Sequence, residues 1–96
     1  MKTVWKYKLY PTETQILQVP DGSIPLSVAE QYDEVVLYLL VDTSTQKVPC
    51  RVDMVGTGHD ISTLEPGAFV GTVKLMGGML IFHIWVAVNW RAEEAS

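Results

Sequence analysis

The sequence predicts an all-β fold of about seven short antiparallel strands, arranged as a small sandwich or barrel. Three observations predict it. Apolar and polar residues alternate in most segments, turn residues recur at short intervals, and no stretch suits the long crossover that a parallel sheet requires. A chain of 96 residues, 48% of them hydrophobic, has room for one core. We therefore expect a single β domain over residues 1–88 and a polar C-terminal extension over 89–96.

The first two candidate strands are separated by Pro11. Residues 3–9 alternate between a face of large apolar side chains and a lysine face, as in a half-buried strand. Residues 15–19 form the second candidate, which ends at a Pro-Asp-Gly turn. These two strands are expected to pair as an opening hairpin. The lysines of the first segment are typical of an edge strand that they keep soluble: Lys2, Lys6 and Lys8.

The segment from Leu26 to Val41 is ambiguous. Ser27 and Glu30 have the spacing of a helical capping box, which favours a helix. The residues after Glu34 are rich in β-branched side chains, and residues 31–34 interrupt the pattern like a turn, which favours two strands in a tight hairpin. We expect the two strands, with the helix as the alternative.

Three further strands are expected in the second half of the chain. Residues 48–54 alternate, and Cys50 falls on the apolar face. Residues 68–76 and 79–88 flank Gly77 and Gly78, which predict a two-residue hairpin loop.

A glycine-rich loop is the candidate ligand site. Gly56, Thr57, Gly58 and His59 open a long connection, and glycines let backbone amides approach a ligand and form an anion-binding nest. The loop lacks the Gly-Lys-Ser/Thr ending of a Walker loop and the third glycine of a dinucleotide fingerprint. The alternative interpretation is a glycine-rich strand exit with a polar cap.

Catalytic and metal chemistry find little support in the residue pattern. His59 and His83 lack a patterned third ligand, so we expect no metal and no cofactor. Serving as acid and base would require both imidazoles in one pocket. Cys50 lies on the presumed core face, where a thiol is usually inert. We therefore expect that the chain is not an enzyme.

Three tryptophans bear on packing and assembly. Trp5 and Trp85 are expected in the core, whereas Trp90 follows the last strand and must either fold back or project. Residues 80–88 are apolar on both faces, which predicts a homo-oligomer, most simply a symmetric dimer, with Trp85 and Trp90 at its interface. The alternative places this strand at the centre of a closed barrel.

Charge and cysteine usage limit the partners and the compartment. The formal net charge is −4 with only 7 Lys and Arg, so a nucleic acid duplex is not an expected partner. Cys50 is the single cysteine, which fits a reducing cytoplasm. The N-terminus lacks the apolar stretch of a signal peptide, and no segment reaches the roughly 20 apolar residues of a membrane span.

Short motifs occur along the chain in a characteristic order: Met1-Lys2-Thr3-Val4-Trp5-Lys6-Tyr7, Val41-Asp42, Gly56-Thr57-Gly58-His59, Phe69-Val70-Gly71-Thr72-Val73, Gly77-Gly78 and Phe82-His83-Ile84. Together they resemble a family of short proteins of unknown function that is widespread in tailed-bacteriophage and prophage genomes. The resemblance covers residue 1 to about residue 86. It implies strands in 26–42, a viral origin and the host cytoplasm, and it supplies no activity. Similar proteins tend to end just after the histidine-containing strand, whereas this chain continues.

Two functions are expected from these observations. The first is a small phage accessory protein that binds a host protein, most simply a defence protein, as an inhibitor or modulator. The alternative is a small-molecule binder that sequesters a nucleotide-like or other anionic ligand at the Gly56–His59 loop. Thermal-shift screening against nucleotides distinguishes the two, because a bound ligand stabilises the folded state.

Overall fold

The computed structural model describes residues 1–91 and consists almost entirely of β-strands. The strands are β1 (Lys2–Leu9), β2 (Thr14–Pro20), β3 (Ile24–Gln31), β4 (Glu34–Asp42), β5 (Lys47–Gly56), β6 (Ala68–Leu75) and β7 (Leu80–Val88), with a short 3₁₀ turn at Met76–Gly78. They form two antiparallel sheets, ordered β1-β4-β3 and β2-β5-β7-β6. The all-β class is confirmed, and the arrangement is a sandwich rather than a closed barrel. Residues 1–91 contain no helix with the length and apolarity to span a bilayer.

The core lies between the two sheets. The molecule is only 16 Å thick along its short axis, as two layers of strands about 10 Å apart require. Strands β4 and β5 contribute most of the buried side chains, and at their centres Leu37, Leu39, Cys50 and Val52 are fully inaccessible. Ile84 of β7 is equally buried. Each sheet therefore turns one face of its alternating strands inward and leaves the other on the surface.

The ambiguous segment is a hairpin, as expected, and the helical alternative is wrong. Strands β3 and β4 pair up to Gln31 opposite Glu34. Tyr32 and Asp33 between them have φ of 52° and 62°, which is the pair of positive values that a type I′ turn needs. The carboxylate of Asp33 also accepts a hydrogen bond of 2.8 Å from the backbone N–H of Met76, which links this hairpin tip to the β6–β7 tip.

The predicted opening hairpin is wrong. Strand β1 pairs with β4 and β2 pairs with β5, so the first two strands belong to different sheets. The reason lies in β4 and β5, which are buried at most positions and are flanked by a partner on each side. Strands β1 and β2 are exposed at more positions, and each forms the edge of a different sheet, where it supplies the second partner of β4 or β5.

Two local expectations also fail. Trp5 is on the inward side of β1 but remains 37% exposed. Because β1 is an edge strand, a neighbouring strand flanks this side chain on one side only. The β6–β7 loop has four residues rather than two, since Leu75 pairs with Leu80 across the turn. Met76, Gly77 and Gly78 all have positive φ, which builds a wider turn than a two-residue loop.

One side of the sandwich is closed and the other is open. Strands β3 and β6 lie next to each other, and a Cβ at Gly71 would stand 2.9 Å from Cγ2 of Val28, so a larger residue at position 71 would force the Val28 side chain or a strand to shift. On the opposite side, β1 and β2 are the edges of their sheets. This asymmetry determines which backbone groups remain available to a partner.

Cys50 lies on the inner face, as expected, and is fully buried. Burial raises the pKa of its thiol from 9.0 to about 11. The neighbouring Tyr7 hydroxyl is buried with no hydrogen-bond partner among the described residues. Its pKa is also raised, first by burial and then by Cys50. Both groups are therefore protonated in the folded protein at neutral pH.

The Cys50 thiol predicts a loss of stability at alkaline pH. In the unfolded chain the thiol ionises near pH 9, whereas in the folded state it stays protonated to about pH 11. The free energy of unfolding is therefore unaffected by this group below pH 9 and falls as pH rises from 9 to 11, by about 2 kcal/mol. Urea denaturation across this pH range should show the decline. In Cys50→Ala the decline should be clearly smaller, and equal slopes for both proteins would contradict the assignment.

Candidate functional site

The outer face of the three-stranded sheet carries an exposed apolar row. Val4 of β1 and Ile24 of β3 both lie opposite Leu40 of β4, so the three side chains cross the sheet in one line. Val4 is 50% and Ile24 is 54% exposed. A shallow hollow of about 80 Å³ lies beside the row and is lined by Lys2, Gly22, Ile24, Leu40, Val41 and Asp42. We call Val4, Leu40 and Ile24 the apolar row.

Lysines of β1 share this face. Lys6 donates a 2.7 Å hydrogen bond to the side-chain oxygen of Gln31, and Lys8 forms a 2.9 Å ion pair with Glu34. The hydrogen bond that Lys8 donates to Glu34 raises the pKa of Lys8 above its usual range. Lys2 makes no side-chain hydrogen bond or ion pair within the described residues. The apolar row therefore lies beside a cation that is available to a partner.

Sequence reasoning missed this surface. Val4 falls between lysine positions that are typical of a soluble edge strand, and Ile24 directly follows a turn. Neither position is unusual alone, because single exposed apolar residues are common on protein surfaces. Only the register that sets both residues opposite Leu40 joins them. The surface could have been predicted only if β1 had been assigned as the partner of β4 rather than of β2.

The predicted ligand loop is ordered by backbone hydrogen bonds, one within the loop and one to β7. The N–H of His59 donates to the carbonyl of Gly56 at 3.1 Å, and the N–H of Thr57 donates to the carbonyl of Ile81 at 3.3 Å. Gly58 has φ of +88°, which favours glycine at this position. Two of the amides that an anion-binding nest would use are therefore already engaged within the chain.

The cleft beside this loop has an acidic lining. It has a volume of about 370 Å³, and its charged or ionisable lining groups are Glu13, His59 and Asp60. Hydrogen bonds from the side chain and then the backbone of Ser62 lower the pKa of Asp60, so this carboxylate is ionised at neutral pH. A nucleotide-like anion would meet two carboxylates there. The volume suits a small molecule, but the charge does not favour an anionic one.

The two histidines lie on different faces of the β5–β7 pair. His83 stands opposite Val55 on the outer face, with Nε2 2.7 Å from the Thr57 hydroxyl and Nδ1 2.9 Å from the Thr72 hydroxyl. The ring of His59 lies against Gly56, where an added Cβ would point toward the inner face. The structure therefore does not place the two imidazoles in one pocket as an acid–base pair. Within residues 1–91, no three His, Cys, Asp or Glu side chains are grouped as metal ligands would be.

The two tryptophans predicted for an interface both lie on the outer face of the four-stranded sheet. Trp85 is half-buried and packs edge-to-face on Phe69, with ring centroids 5.3 Å apart. Trp90 folds back: its N–H donates to the carbonyl of Pro49 at 3.1 Å, and its ring lies 5.4 Å from the guanidinium of Arg51. The core position expected for Trp85 is therefore only partly realised, because its ring packs on the surface of the sheet. Residues 92–96 of the predicted extension lie outside the described residues.

Next to Arg51 on β5 lies a buried carboxylate that the sequence did not reveal. Asp53 is 1% exposed, and its Oδ1 accepts hydrogen bonds from the Thr14 hydroxyl at 2.7 Å and from Nε of Arg51 at 3.1 Å. A charge so deeply buried requires this pairing. The Asp53 carboxylate joins β2 to β5, and Arg51 in turn contacts the Trp90 ring after β7, which is a structural role.

The fold and these surfaces define a small antiparallel β-sandwich with an exposed apolar row on one sheet. Over residues 1–94 the chain matches the model of the family described as Domain of unknown function (DUF7352), and it belongs to that family. The match includes Trp90 and most of the segment after β7. No curated protein and no solved structure matches the chain. The family description supports the expectation of unknown function and gives neither an activity nor a viral origin.

Proposed function

We propose that this chain is a small accessory protein that acts by binding another protein through the apolar row. The observation that carries the proposal is the alignment of Val4, Leu40 and Ile24 across three strands, with two of these side chains half-exposed. When a partner covers apolar side chains that stay exposed after folding, the free energy falls, because apolar surface is removed from water. A row of this kind is typical of the centre of a protein–protein interface.

The chemistry of the surface specifies the partner. The hollow beside Leu40 has room for a small apolar group of the partner, and its rim carries Lys2 and Asp42. The Asp42 carboxylate is engaged by the Met1 amino group and by Ser44, so Lys2 is the charge at this rim that would meet a carboxylate of the partner. Full burial of a Val or Ile side chain stabilises by about 1.5–3 kcal/mol. The partner surface is therefore an apolar side chain flanked by an acidic residue.

The biological setting in this proposal is a bacteriophage or prophage. It is supported by the resemblance of the motifs from Met1-Lys2-Thr3 to Phe82-His83-Ile84 to short proteins of tailed phages. In that setting the chain acts in the host cytoplasm, and its partner is a host protein, with a defence protein as the first candidate. The chain inhibits or modulates that partner by covering its surface.

A matched pair of variants tests the binding surface. The double variant Val4→Thr with Ile24→Thr keeps β-branched side chains in both strands, so the fold is preserved while the apolar row becomes polar. The control is Met79→Gln, which changes a side chain that is 80% exposed in the β6–β7 turn. Each full-length protein is immobilised and exposed to bacterial host extract, and the captured protein is then purified and titrated.

The wild type and Met79→Gln should capture the same host protein with equal affinity. The double variant should bind it at least about tenfold more weakly, which corresponds to 1.4 kcal/mol. Equal binding by the double variant would refute the apolar row as the interface. Absence of any host protein above the level of an unrelated bait would contradict the proposed function itself.

A further inference from the structure

The free edges of the two sheets differ in what they offer a partner. Strands β3 and β6 lie against each other on the closed side of the sandwich. On the open side, β1 and β2 each have one row of backbone N–H and C=O groups that no neighbouring strand uses. Such rows are templates for pairing with another chain unless their side chains prevent it.

The hydrogen-bond pattern shows which residues of β2 point outward. The N–H of Met54 donates to the carbonyl of Glu13 at 2.9 Å, and the N–H of Asp21 donates to that of Gln46 at 2.8 Å. In an antiparallel pair, every second residue is hydrogen-bonded to the partner strand. Because Glu13 and Asp21 are both bonded, the odd-numbered residues between them also direct their backbone groups to β5. The even-numbered residues Thr14, Ile16 and Gln18 therefore direct their backbone groups to the free edge.

The same reasoning applied to β1 gives a protected edge. The N–H of Thr43 donates to the carbonyl of Met1 at 2.8 Å, so here too the even-numbered residues point outward. These residues are Lys2, Val4, Lys6 and Lys8. Two copies of β1 that paired antiparallel along this row would oppose lysine with lysine, which is destabilising. Charge thus prevents self-association through β1.

Strand β2 has no such protection. Its outward residues are uncharged, and Ile16 at the centre is 45% exposed. The row ends at Pro20, which has no N–H and whose carbonyl already accepts a 2.6 Å hydrogen bond from Ser23 Oγ. At the other end, the Thr14 carbonyl lies 3.5 Å from the Thr12 hydroxyl, at the limit of a hydrogen bond. The available edge is therefore short and bounded, as a specific pairing site requires.

We propose that two copies of this chain form a symmetric dimer by antiparallel pairing of β2 with β2. The two-fold axis passes beside Ile16, so Ile16 faces its own copy and Thr14 faces Gln18 of the second copy. In this register every outward N–H and C=O of the three residues meets a complementary group. The two four-stranded sheets become one continuous sheet across the dimer.

Charge supports a second copy as the occupant of this edge. Each chain carries a formal net charge of −4, so most surfaces of two copies repel each other. Strand β2 contains no charged residue, although Glu13 and Asp21 flank its two ends. Of the charged residues opposite it on β5, Arg51 and Asp53 are paired with each other at 3.1 Å, and Lys47 lies at the end of the row opposite Pro20. The edge is thus a neutral strip on which two acidic molecules can meet. Ile16 supplies the apolar contact at its centre.

This interface differs from the last-strand interface that the sequence predicted. Strand β7 is hydrogen-bonded to β5 on one side and to β6 on the other, so it has no backbone groups free for pairing. The inference is also independent of the proposed function, because the apolar row lies on the outer face of the other sheet. Failure of either proposal leaves the other unaffected.

Charge changes at the self-paired position test the dimer. Ile16→Lys places two lysines, and Ile16→Glu two glutamates, against each other at the two-fold axis. Light scattering should give twice the 10.7 kDa chain mass for the wild-type protein and the single-chain mass for each variant. A mixture of the two variants should recover the double mass, because lysine then faces glutamate. The control Ile24→Lys, at a 54% exposed position on the other sheet, should remain dimeric.

Each other outcome overturns the proposal. A single-chain mass for the wild type throughout a dilution series rules out the dimer. Retention of the double mass by Ile16→Lys places the interface elsewhere, and the same conclusion follows if Ile24→Lys becomes monomeric. If the two Ile16 variants stay monomeric when mixed, Ile16 does not face its own copy. Circular dichroism on each variant confirms that it is folded.

Discussion

Replacing Asp53 with alanine is expected to destabilise the protein by about 3–5 kcal/mol, because the change leaves a largely buried guanidinium without its counter-ion. The Arg51 side chain is 15% exposed and pairs with the Asp53 carboxylate at 3.1 Å. The Thr14 hydroxyl loses its acceptor at the same time. A loss of this size is a large fraction of the 5–15 kcal/mol that typically holds a domain folded. Urea denaturation followed by tryptophan fluorescence measures it.

The matched control is Asp60→Ala, which removes an exposed aspartate whose hydrogen bonds within residues 1–91 come from Ser62, two positions along the chain. Its expected effect on the free energy of unfolding is much smaller than that of Asp53→Ala, because the Asp60 carboxylate is exposed to solvent. The double variant Arg51→Met with Asp53→Leu removes both charges together and should recover most of the stability, since neither charge is then left unpaired. Equal losses for Asp53→Ala and Asp60→Ala would show that the buried pair has no special role.

The second large effect is expected for Leu37→Ala, at about 2–5 kcal/mol. Leu37 is fully buried at the centre of β4, with Tyr7 and Val28 opposite it on the two flanking strands. Removing its branched end leaves a cavity that the rigid sheet cannot close, so packing contacts are lost in addition to the transfer free energy. Thermal and urea denaturation should agree on the size of the loss.

Leu26→Ala provides the comparison for this variant. Leu26 lies at the irregularity of β3 and is 48% exposed, so the same truncation should cost below about 1 kcal/mol. A similar loss at both positions would mean that propensity for the strand, rather than core packing, sets the cost. An unfolded Leu37→Ala protein agrees with the upper end of the expected range.

The candidate sites show how far single residues can be interpreted from sequence. The sequence indicates the Gly56–His59 loop, because its glycines and its histidine are adjacent in the chain itself. Its surroundings were not visible, since Glu13 reaches the cleft from the chain before β2. The burial of Asp53 was equally hidden, because an alternating strand predicts an exposed polar residue at that position. It is buried by packing on the outer face, where Arg51 and Thr14 bond to it.

The sequence by itself determined the all-β class, the approximate position of every strand and the inward side of β1 and β5. These follow from alternation with a period of two and from local turn chemistry, which nearby residues encode. It also determined that Cys50 points into the core. Tertiary structure alone decided which strands pair, because pairing depends on how buried strands such as β4 and β5 acquire partners from distant parts of the chain. For the same reason it alone created the apolar row, the buried Arg51–Asp53 pair and the neutral edge at β2, all of which join residues that lie on different strands or require a known register.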